Sequence, residues 1–124
     1  IEPPKGDLLD ALCYHAQQSV EKALKAVLLA KGVDFPLTHN LRVLIDALPS
    51  GMRIPKTVSS SAKLTIYAVA ARYPDDSEPV TDTGELQEAL HLAGCVLRWA
   101  SSIVRRRQSK RRQPTRRSHR TPCA

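Results

Sequence analysis

Over the first third of the chain, apolar residues return at helical spacing. Leu8, Leu9, Leu12, Cys13, Ala16, Val20, Ala23, Leu24, Val27 and Leu28 share an arc of roughly 200° on a wheel of 100° per residue. The pattern predicts a helix over residues 7–31, capped by Asp7 and stopped by Gly32. An arc this wide exceeds one contact surface. Such a helix belongs at the centre of a bundle, or between a core and a second subunit.

Val33-Asp34-Phe35-Pro36 breaks the pattern. Thr38 is the expected cap of a short second helix with Leu41, Leu44, Ile45 and Leu48 on one side, ended by Pro49-Ser50-Gly51. Residues 52–61 read as a loop leading into a third helix over residues 63–72. Its β-branched Thr65, Ile66 and Val69 are weak helix formers, but a strand here would find no pairing partner. Tyr73-Pro74 to Pro79 is a turn-rich loop. Thr81 or Asp82 then starts a last helix, and Asp82 with Glu85 has capping-box spacing, weakened by Gly84. Leu86, Leu90, Ala93, Val96, Leu97, Trp99, Ala100 and Ile103 form its apolar face, which stops at Val104. The expected fold is all-α, an antiparallel up-and-down bundle of four helices. Residues 1–6 read as a linker, 7–104 as the bundle domain and 105–124 as a disordered Arg-rich tail.

Charge changes this picture less than the net value of +7 suggests. The run RRRQSKRRQPTRRSHR, residues 105–120, contains no acid, and all 12 Asp and Glu precede it. The basic excess therefore belongs to the tail, while the body is mildly acidic. At 4% aromatic residues the core must be aliphatic, and a base-stacking platform for single strands is not expected. Cys13, Cys95 and Cys123 lack the spacing of a zinc site or a disulfide framework. Cys13 and Cys95 fall within helical patterns, where buried, reduced thiols of a cytoplasmic protein are the expectation. No apolar run approaches the ~20 residues of a membrane span, and nothing in the sequence asks for a metal or other cofactor.

Three places carry candidate chemistry. On the first helix His15, Gln18, Glu21, Lys22 and Lys25 lie within roughly 120° of one another, opposite the apolar arc. Polar residues on a helix's outer side need no function. In the functional reading His15, Lys22 and Lys25 offer donors to a phosphate or ribose, and spacing leaves both readings open. His39 stands beside the start of the second helix, where unpaired amides attract an anion. Arg72 and Tyr73 close the third helix. No GxSxG, P-loop, HExxH or paired-carboxylate arrangement is present. Cleavage of RNA needs less, since its 2′-hydroxyl is the nucleophile and a histidine beside an arginine supplies the rest.

AQQSVEKALKAVLLAKG (residues 16–32), FPLTHNL (35–41), the helix end YAVAARYP (67–74) and the last helix begun by EPVT resemble the HEPN domain. The name denotes higher eukaryotes and prokaryotes nucleotide-binding. The resemblance covers residues 10–99. It implies an all-α bundle, usually a homodimer, that binds a nucleotide or RNA. In many bacterial and archaeal members it also implies a small nucleotidyltransferase partner in a toxin–antitoxin pair. Catalytic members are metal-independent ribonucleases with an Arg-x(4–6)-His motif at the dimer interface. Here that motif is absent from residues 7–104; only Arg112 and His119 fit, within the arginine-rich run.

The resemblance thus implies a non-catalytic module that contacts a nucleotide or partner through His15, Gln18, Glu21, Lys22, Lys25, His39, Arg72 and Tyr73. A toxin ribonuclease and a truncated gene remnant are the alternatives. Family members usually carry a further helix before residue 7. Its loss would uncover much of the wide arc, so the chain alone is expected to be marginal or to oligomerise through the first helix.

Overall fold

The computed structural model describes residues 5–72 and 82–111. They form helices α1 (Lys5–Ala30), α2 (Leu41–Asp46), α3 (Lys56–Ser60), α4 (Thr65–Arg72) and α5 (Thr83–Arg111), with a 3-10 turn (Ser61–Leu64) joining α3 to α4. Taken with that turn, α3 and α4 act as one bent rod, so four rods make up the all-α bundle. There is no strand among the described residues.

The wide arc of α1 explains its place. Leu9, Cys13, Ala16, Val20, Ala23, Leu24, Val27 and Leu28 are all buried, packed with Leu41, Leu44, Ile45 and Leu48 of the α2 region and with Val58, Leu64 and Tyr67. From α5 come Ala89, Leu92, Ala93, Val96, Ala100 and Ile103. Most of the arc is therefore covered by this chain's own helices, and only Leu8 and Leu12 of the ten positions stay exposed. This corrects the expectation of a largely uncovered arc. At about 1.5–3 kcal/mol for each large aliphatic side chain removed from water, α1 is the main source of cohesion.

Gly32 ends α1 as its sequence suggested. Its φ of 70° costs a glycine little. The amides of Gly32 and Val33 return to the carbonyls of Leu29 and Leu28, at 3.1 and 2.9 Å. This is the paired closure of a Schellman motif, and Val33 packs onto the core beyond it.

Several boundaries differ from expectation. α1 begins at Lys5, inside the expected linker. Asn40, not Thr38, caps α2, its side chain accepting from the Arg42 amide at 3.0 Å. Part of the expected 52–61 loop is helix α3, which starts directly after Pro55, a residue whose fixed φ suits a helix start. Asp82 caps α5 by accepting from the Gly84 amide at 2.8 Å. A Cβ on Gly84 would lie 3.2 Å from that oxygen, so the glycine makes room for the cap. Glu85 does not close a capping box; it accepts a hydrogen bond from Tyr67 instead.

α5 continues past Val104 to Arg111. Arginine is a good helix former, and cations in the last turns of a helix complement its dipole. Arg105 Nε also donates to the Ser101 carbonyl one turn back, at 3.3 Å. The rest of the expected tail, the linker residues 1–4 and the 73–81 loop lie outside the described residues. Among the described residues no helix is long and apolar enough to cross a membrane.

Candidate functional site

The site grows from a carboxylate on the inner edge of α1. Glu21 is buried, and both of its oxygens are used. Lys25 Nζ donates to Oε2 at 2.9 Å. His39 Nδ1 lies 3.0 Å from Oε1, and Gln17 Nε2 reaches that oxygen at 3.3 Å. Burial pushes the Glu21 carboxyl up, but the hydrogen bonds from Lys25, His39 and Gln17 outweigh it and hold the group below the usual carboxylate range. An ionised carboxylate only accepts, so His39 Nδ1 carries a proton. Its Nε2 has no partner among the described residues.

Gln17 extends the network to the backbone. Its Nε2 donates to the His39 carbonyl at 3.1 Å, and its Oε1 accepts from Gln18 at 2.7 Å. The connector after α1 is thereby pinned to the helix it has just left. Sequence reading missed Gln17, although a signal was there: it falls on the apolar arc, between Cys13 and Val20, where a fully buried amide needs partners.

α2 and α4 complete the frame. Thr38 Oγ1 accepts from the Asn40 amide, and Thr65 Oγ1 of α4 accepts from the Leu41 amide, each at 3.0 Å. With Arg42's amide held by Asn40, the start of α2 has spent its first donors internally. The expected anion-attracting amides beside His39 are therefore not available, and side chains must do that work.

Those side chains meet in a groove of about 620 Å3. Lys25 comes from α1, Thr38, His39 and Asn40 from the connector, and Thr65 and Arg72 from α4; Leu37 and Val69 add apolar surface. Leu37 is 98% exposed. Arg72 has no ion-pair or hydrogen-bond partner among the described residues. Three of the sequence candidates, Lys25, His39 and Arg72, thus share one concavity, with Glu21 beneath two of them.

A family model for the HEPN domain matches residues 5–104. The chain belongs to the HEPN domain family. Its activity class is accordingly related to nucleotides or RNA. Comparisons with curated proteins and with solved structures gave no match.

The other candidates of this HEPN chain are placed differently. Lys22 is exposed and lines a second groove, between α1 and α5, with no residue in common with the first. His15 is exposed beside the Tyr14 ring. Gln18 serves Gln17. The polar row on α1 is therefore not one surface: Glu21 and Lys25 turn to the connector and α4, and Lys22 turns to α5. Tyr73 lies outside the described residues.

Elsewhere in the bundle, Tyr67 donates to Glu85 Oε2 at 2.5 Å. Burial and that carboxylate push its phenol far above the usual tyrosine range. Cys13 and Cys95 are buried, and burial pushes the Cys13 thiol up. Among the described residues no cluster of His, Cys, Asp or Glu is arranged to hold a metal ion.

Proposed function

We propose that this HEPN domain is a non-catalytic module that binds the phosphate of a nucleotide in the groove between the connector and α4. The observation that carries the reading is the convergence of Lys25, His39 and Arg72, from three separate segments, on one concavity. The ~620 Å3 volume falls within the 300–1,000 Å3 typical of small-ligand sites. Leu37 and Val69 offer the apolar surface a base or sugar ring requires, and Thr38, Asn40 and Thr65 offer polar contacts.

Charge decides which cation matters most. Glu21 formally cancels Lys25, so Arg72, with no ion-pair partner among the described residues, supplies the next positive charge, and its fork suits phosphate oxygens. Glu21 acts as the support that fixes where Lys25 and His39 stand. Calorimetric titration with AMP, ADP and ATP tests the reading. A saturable heat that Arg72→Ala weakens at least about tenfold, the worth of one charge-assisted contact, supports it. No heat with any of the three nucleotides removes it. The homodimer and small nucleotidyltransferase partner implied by the family belong to the same proposal, with the groove as the ligand half.

A second reading rests on one feature. His39 is fixed through Nδ1 by Glu21 while Nε2 has no partner among the described residues, and Arg72 lines the same groove. A histidine oriented by a carboxylate, with an arginine beside it, is equipped to take a 2′-hydroxyl proton and to steady a phosphorane. Cleavage of single-stranded RNA in the presence of a chelator, lost in His39→Ala, selects this reading over simple binding.

A further inference from the structure

α1 and α5 pack side by side, yet they leave between them an apolar groove of about 780 Å3. Ala23 and Ala26 line it from α1, and Leu97 and Ala100 from α5. Three of these four are alanines, so an approaching backbone can come close, as ridges into grooves require. Leu97 is 43% exposed, an apolar side chain with room for more neighbours. The two charged residues lining the groove, Lys22 and Arg105, are both basic and both exposed.

This charge pattern selects the occupant. A second copy seated on the same face about a two-fold axis would set this patch against itself, and since both of its charged residues are basic, only like charges could meet across the interface, which disfavours the pairing. A free anion would gain nothing from the alanine floor. We infer that the groove is a docking site for an amphipathic helix of a partner protein, with an apolar stripe on the floor and Asp or Glu flanking it. Lys22 and Arg105 choose the acidic flanks; Ala23, Ala26 and Ala100 admit the stripe. The site shares no residue with the proposed nucleotide groove and does not depend on that reading.

Two fluorescently labelled helical peptides test it on the full chain. Both carry Leu and Ala at i, i+3, i+4 and i+7; one has Glu on the flanks and the other Lys. The Glu peptide is expected to bind by anisotropy, with the Lys peptide weaker by about tenfold or more. Lys22→Glu with Arg105→Glu is expected to invert that order, and Lys22→Ala with Arg105→Ala to abolish it, while Arg72→Ala leaves it unchanged. Thermal melts verify that the variants stay folded, as exposed positions should. Equal binding of both peptides, an order unmoved by the charge reversal, or no binding overturns the inference. So does a concentration-dependent dimer that Leu97→Glu dissociates and the Glu peptide cannot compete away, because a second copy then occupies the groove.

Discussion

His39 Nδ1 stands 3.0 Å from Glu21 Oε1, joining the connector after α1 to a buried carboxylate in the middle of that helix. The contact is both a tether and an alignment. It holds residues 37–40 against α1, and it sets His39 on the groove where Lys25 and Arg72 also sit. Removing the carboxylate should be felt in stability first. Glu21→Ala removes one of the two acceptors of the buried Gln17 amide and strips Lys25 and His39 of theirs, and is expected to cost about 2–3 kcal/mol. Urea denaturation at neutral pH measures it, and a cost below ~0.5 kcal/mol would show that the network is ornamental.

Acid should expose the same group. Glu21's folded value is held below the usual one, so its contribution to stability is fully present above the ordinary glutamate value of about 4.3. It is lost as pH falls through the lower folded value. Melting temperatures of the wild type and Glu21→Gln are therefore expected to be well separated at neutral pH and to converge in this acid window. A separation that stays constant down to pH 3 would contradict the assignment.

Gln17 offers a subtler test. Gln17→Leu keeps the volume and suits the apolar arc, but it leaves the His39 carbonyl without its donor at 3.1 Å. The expected result is a net loss of about 1 kcal/mol, with faster amide hydrogen exchange confined to residues 37–41. Unchanged exchange there would mean that the connector is held by other contacts.

Tyr67 tests the far end of the bundle. Its hydroxyl is tied to Glu85 at 2.5 Å. Because Glu85 is exposed, solvent discounts this charge-assisted bond to about 1 kcal/mol, the expected loss in Tyr67→Phe. In a spectrophotometric alkaline titration the folded wild type and Tyr67→Phe should show the same number of phenols ionising near ~10. One fewer phenol in the variant would contradict the raised Tyr67 value.

Much of this architecture was legible in the chain, and the exceptions have physical causes. The arc of α1, its Gly32 stop and the Leu41, Leu44, Ile45 and Leu48 side of the α2 region depend on local periodicity and were read directly. On α5 the buried face is rotated from the expected one, taking in Ala89, Leu92 and Cys95 and leaving Leu90 and Leu97 exposed. Size had outweighed spacing there, because small residues sit where helices approach most closely. α3 escaped notice because five residues after a proline show no period. For the site, a helical wheel gives an angle for Lys22 and Lys25 but not the neighbour each angle meets. Only tertiary packing separates Lys22, facing α5, from Lys25, which shares a groove with His39 and Arg72.

The central claim is that Lys25, His39 and Arg72 form one phosphate-binding groove. Titration of ATP into isotopically labelled protein, followed residue by residue by NMR, tests it most directly. Saturable shifts are predicted at His39, Asn40, Thr65 and Arg72, with none at Lys22 or Arg105, and their loss in Arg72→Ala. Shifts confined to the α1–α5 face, or no shifts at all, would contradict the account.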